Sequence, residues 1–128
     1  MKRKLSLLIV LALLLVGCGK DGLTEYIDVQ NVVVDHLNSD IQTIKDEDEF
    51  NEKIAELEAA LQKIDDLNMS DENEEITDKI LKTGEELVDC IKKLRAYDND
   101  ENIDKYNEQV DRYNELIQQF SSYEKEIK

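Results

Sequence analysis

Residues able to do chemistry are few in this chain, and they are scattered. It holds one histidine, His36, and two cysteines, Cys18 and Cys90. A catalytic centre needs groups that converge on one reacting atom. His36 follows Asp35 in a helical pattern and has no second histidine at ligand spacing, so zinc is not indicated. Cys90 falls among Leu87, Val88, Ile91 and Leu94 and reads as a small buried hydrophobe. Gly84 is the one glycine beyond residue 22, which leaves no glycine-rich loop for phosphate. The best calcium candidate is Asp98-Asn99-Asp100-Glu101-Asn102-Ile103-Asp104, with side-chain oxygens at positions 1, 3, 5 and 7. Ile103 stands where the sharp turn wants glycine, and Gln109 stands where a glutamate should close the loop. An acidic helix start is the better reading of that stretch. The 31 Asp and Glu are spread along the solvent faces of helical patterns. The expectation is no catalytic, cofactor-binding or metal-binding residue, hence no enzyme and no small-molecule substrate.

The other cysteine has a distinct setting. Lys2, Arg3 and Lys4 precede an apolar run from Leu5 to Val16 that only Ser6 interrupts. A basic start, a short apolar stretch and a small residue at the cut define a secretory signal. A spanning helix needs roughly 17–25 apolar residues, more than are present here. The run closes on Leu15-Val16-Gly17-Cys18, which resembles a bacterial lipobox. That resemblance implies cleavage after Gly17 and a thioether-linked diacylglycerol on Cys18. Two acyl chains hold a protein stably on a membrane, at about 0.8 kcal/mol per buried CH₂. The resemblance covers about the first 18 residues and leaves the rest unassigned.

The organisation expected is therefore a signal peptide over 1–17, a short tether over 18–22 and a domain over 23–128. At about 3.3–3.6 Å per residue, the four residues between Cys18 and Leu23 reach roughly 15 Å, so the domain should lie close to the membrane face. Three of the 16 basic residues lie in the leader, and the net charge of −15 becomes more negative on its removal. Such a chain lacks the basic footprint that nucleic acid requires and gains nothing from anionic headgroups. With Cys18 acylated, Cys90 has no disulfide partner, and stability rests on the core.

The elements that must position these residues read as helices. The chain has no proline, and three of its four glycines, Gly17, Gly19 and Gly22, sit at the processing site. A first helix is expected from Leu23 to about Lys45, with Thr24 as a candidate cap at its start, although Val32-Val33-Val34 is β-branched. Asp46-Glu47-Asp48-Glu49 breaks the pattern and makes a turn, its last acids suiting the start of a second helix. That helix carries Phe50, Ile54, Leu57, Leu61 and Ile64 in a heptad stripe. Ser70 is a candidate N-cap for a third, with Ile76, Ile80, Leu81, Leu87, Val88, Ile91 and Leu94 as its apolar positions. Gly84 lies mid-helix, where it costs about 1 kcal/mol against alanine; it allows a close helix approach or a bend, or is simply tolerated. The last helix carries Ile103, Tyr106, Val110, Tyr113, Ile117 and Phe120. Pairs four apart, such as Asp89 with Lys93 and Glu108 with Arg112, support the exposed faces. The fold class is all-α: a small antiparallel bundle of four helices, or of three if the first two fuse into one broken helix.

Tyr106 and Tyr113 share the last helix's apolar stripe and read as core. Tyr123 lies off it and is the freer candidate for contact with a partner. A small bundle tied close to a membrane is similar in architecture to small lipoproteins of Gram-positive bacteria. These include the exclusion or immunity lipoproteins of conjugative elements and phages. The likeness implies non-catalytic contact with a membrane-embedded partner, with a structural or self-assembling envelope role as the alternative.

Overall fold

The computed structural model describes residues 23–127. Among them lie four α-helices and no strand: α1 (Leu23–Leu37), α2 (Glu47–Asp65), α3 (Asp71–Asn99) and α4 (Ile103–Glu126). The chain is all-α, as its periodicity indicates. Contacts between helices run in opposite directions along each neighbouring pair. Glu86 meets Arg112 and Cys90 meets Gln109 across α3 and α4. Across α2 and α3, Glu58 meets Lys92 and Leu61 meets Gly84. The result is an up-down-up-down bundle.

Side-chain oxygens start three of the helices by taking orphan backbone N–H groups. Asp46 accepts from Glu49 N at 2.8 Å, Ser70 from Asn73 N at 3.4 Å and Asn102 from Lys105 N at 3.3 Å. Glu47, Asp48 and Glu49 then fill the first turn of α2, where carboxylates face the positive end of the helix dipole. Thr24 lies inside α1, which already includes Leu23, so it is not the cap of the described helix.

The first helix is shorter than its apolar pattern implies. It stops at Leu37, and Asp40 takes a left-handed backbone conformation (φ 51°, ψ 48°) before a 3-10 turn at Ile41–Thr43. Ser39 Oγ donates to His36 O, and Thr43 Oγ1 donates to Asp40 O, both at 2.7 Å. These local bonds replace helical ones. Ile41 is nonetheless buried, so the turn keeps the apolar pattern while breaking the helix. The break lets α1 fold back on α2, where His36 Nε2 lies 2.9 Å from Glu56 Oε2. The four-helix arrangement is therefore the one formed.

One core joins all four helices. Tyr26, Val33 and Val34 of α1 meet Leu57 and Ile64 of α2, Ile80, Leu87 and Leu94 of α3, and Val110, Ile117 and Phe120 of α4. Met69 seals the connection between α2 and α3. Arg95 ties the α1–α2 linker down: its guanidinium donates to Ile44 O and Lys45 O at 3.4 Å and stacks 4.4 Å from the Phe50 ring. At Gly84 the backbone of α3 comes close to Leu61 of α2. A methyl group there would meet Leu61 Cδ2 at 2.7 Å and Cδ1 at 3.2 Å.

Candidate functional site

Cys18 lies outside the described residues. The other residues singled out by the sequence are dispersed. Cys90 is buried, its Sγ 3.3 Å from Gln109 O and 3.4 Å from Gln109 Oε1. Burial pushes its thiol up to about 12, against a smaller opposing pull from Arg112, which makes it a poor nucleophile. His36 holds Val32 O at 2.8 Å through Nδ1 and Glu56 through Nε2. Its hydrogen bond, helped by Lys53, holds the exposed Glu56 carboxyl below the usual range. Asp98 and Asn99 belong to α3 and Asp104 to α4, so the calcium-like stretch is a helix–turn–helix corner. No group of three or more metal-ligating side chains comes together among the described residues.

The tyrosines divide. Tyr106 and Tyr113 are core residues. The Tyr113 hydroxyl donates to Leu37 O at 3.1 Å, so α4 satisfies one of the last carbonyls of α1. Tyr123 packs its ring partly into the core and has the Lys79 ammonium 6.0 Å from its ring centre. It is half-buried rather than free. Of the anticipated pairs four apart, Asp89–Lys93 closes at 3.0 Å. Arg112 turns instead to Glu86 at 3.4 Å and Glu115 at 3.5 Å.

Two surface grooves flank α3. One, of about 520 Å³ between α2 and α3, sets Glu58, Asp65, Asp78, Glu85 and Asp89 around Leu61, Leu81 and Val88, with Lys82 and Lys92 as its cations. The other lies between α3 and α4 and passes over Cys90 and Leu116. Both are open to solvent and lined largely by charge.

The most unusual chemistry is inside. Tyr26 and Gln30 of α1 are fully buried, and Glu124 of α4 is 3% exposed. The Tyr26 hydroxyl, both amide atoms of Gln30 and both carboxyl oxygens of Glu124 have no hydrogen-bond partner. The Ser121 hydroxyl nearby on α4 is also buried and unpartnered. Burial pushes the Glu124 carboxyl up to about 7. Gln30 approaches closely enough to favour the charged form, as does Lys125, but no hydrogen bond is completed. The Tyr26 phenol is raised as well, first by burial and then by the charge of Glu124. An unpaired polar group in a core costs free energy, and here several share one seam.

The sequence reading missed this cluster, although a signal was present. Tyr26, Gln30, Val33 and Leu37 step by four, three and four; Ile117, Phe120, Glu124 and Ile127 step by three, four and three. Gln30 and Glu124 occupy stripe positions. Asn73 and Thr77 do the same at the start of α3, and both are buried. Among the described residues, no helix is long and apolar enough to cross a membrane. Comparison with family models, curated proteins and solved structures finds no match to this chain.

Proposed function

We propose that the chain is a lipoprotein anchored through Cys18 to the outer face of the cell membrane, and that it acts by non-catalytic contact with another membrane protein. The observation that carries this reading is the sequence Leu15-Val16-Gly17-Cys18. Four residues separate Cys18 from Leu23, which is buried in the core, so the bundle would ride on the bilayer surface with little slack. The connection between α2 and α3 and the end of α4 lie at that same end of an up-down bundle. Partners within reach are those embedded in or held against the same membrane. The surface offered to them is acidic, including the groove around Glu85 and Asp89. The exclusion role suggested by the architectural likeness is one form of such contact, aimed at a DNA-transfer channel.

The anchor is tested by mass spectrometry of the mature N-terminus and by membrane fractionation. The wild type is expected to begin at a diacylglyceryl Cys18 and to sediment with membranes. Cys18→Ala is expected to be released or left uncut. A Cys18→Ala chain still cut after Gly17 and still membrane-bound overturns the reading. For the contact, a photo-crosslinker at Lys82 or Glu85 should capture an integral membrane protein in cells. Capture of soluble enzymes alone, or of lipid alone, refutes it.

A further inference from the structure

Orphaned polar atoms gather at the seam where α1 meets α4. α1 contributes Tyr26 and Gln30, and α4 contributes Glu124; Asn31 Oδ1 and Ser121 Oγ on the same two helices are also buried without a partner. Elsewhere in the core, Thr77 and Thr83 satisfy themselves by donating to backbone carbonyls one turn back, and the Tyr113 hydroxyl reaches Leu37 O. Tyr26, Gln30 and Glu124 have no such closure. A carboxylate can only accept hydrogen bonds, whereas a carboxylic acid also donates one. Gln30 presents an unused acceptor, Oε1, and an unused donor, Nε2. A neutral Glu124 complements that amide on both sides, O–H to Oε1 and N–H to the carboxyl oxygen. An ionised Glu124 leaves Oε1 with no donor and places a charge in an apolar core.

We propose that Glu124 is a proton-operated latch for α1: the helix is seated against α4 while Glu124 is neutral and loosens when Glu124 ionises. The groups facing Glu124 from α1 are Tyr26 and Gln30; from its own helix, Lys125 favours the charged form. From α3, the Lys79 ammonium is turned over the Tyr123 ring. His36 of α1 meets Glu56 of α2 at 2.9 Å. The latch stands independently of the anchor at Cys18.

Hydrogen exchange of the full chain, corrected for intrinsic base catalysis, tests it. A carboxyl that titrates at about 7 when seated and in the ordinary range when released predicts an opening constant for α1 that rises roughly 10- to 50-fold between pH 5.5 and 8. Protection of α1 amides should fall by that factor. Glu124→Gln should abolish the fall, and His36→Gln should leave it in place. Constant α1 protection, or a fall that survives Glu124→Gln, overturns the latch. Should the variant fold poorly, a carbon-13 NMR titration of the wild-type carboxyls decides. A Glu124 midpoint near neutrality supports the latch, and a midpoint in the ordinary carboxylate range refutes it.

Discussion

Replacing Gly84 by alanine tests how closely α2 and α3 are packed. On helix propensity alone, the substitution should stabilise a 29-residue helix by about 1 kcal/mol. The new methyl, however, would sit 2.7 Å from Leu61 Cδ2 and 3.2 Å from Cδ1. Carbon atoms rest at about 3.5–4.0 Å, so the Leu61 methyls must move by about an ångström. Leu61 is 5% exposed, and it can give way only by turning toward the α2–α3 groove that it lines. Overpacking of this kind costs about 1–3 kcal/mol, enough to cancel or exceed the propensity gain. Gly84→Ala is expected to be neutral to destabilising by about 1 kcal/mol in urea unfolding followed by circular dichroism. In a Leu61→Ala background the obstacle is gone, and the same change should stabilise by about 1 kcal/mol, giving a coupling of about 1–2 kcal/mol between the two sites. Leu61→Ala alone should cost about 2–5 kcal/mol. A Gly84→Ala protein stabilised by the full propensity term in both backgrounds would refute the close-approach account.

Three further outcomes are expected. The Glu124 carboxyl is raised from 4.5 to about 7 on folding, so its native state binds a proton that the unfolded chain has released. That contribution is intact below pH 4.5 and lost as pH rises toward 7, about 3 kcal/mol in all. Glu124→Gln should match the wild type in denaturant midpoint below pH 5 and exceed it at pH 8; a flat difference contradicts the assignment. Tyr113→Phe strips the donor from Leu37 O and should cost about 1–2 kcal/mol, with the loss concentrated in amide protection at the end of α1. Cys90 should resist a thiol reagent at pH 8 in the native protein and react fully in denaturant, given its burial and raised thiol; rapid native labelling would count against the packing described.

Much of the fold was legible because the apolar stripes of α2, α3 and α4 are regular and their starts carry cap residues. Ser70 followed by Asp71 and Glu72 announces α3 before any contact is known. The end of α1 was not legible. Ile41 and Ile44 continue the helical spacing, and the chain turns at Asp40 without the glycine or proline that would mark it. Only the tertiary fold-back onto α2 makes that left-handed residue worth its strain of about 1–2 kcal/mol. The buried cluster was hidden by residue type. Gln30 and Glu124 hold the right positions for core residues, but polarity argued for solvent. Gly84 left close approach, a bend or mere tolerance open, and the Leu61 side chain against it shows close approach. Tyr123 was placed off the stripe, and the structure gives it a half-buried seat beside Lys79.

The two helical pairs are unequal in length. With 29 residues, α3 runs about 43 Å, while the 15 residues of α1 span about 22 Å. The α3–α4 corner, with Ile103 exposed there, therefore stands well beyond the point where α1 stops. Seen from the end where the chain enters α1, the molecule is a mast with a short stay. A partner touching the masthead would be met at a height fixed by two mutually braced helices. A partner touching the stay would feel whatever happens at Glu124.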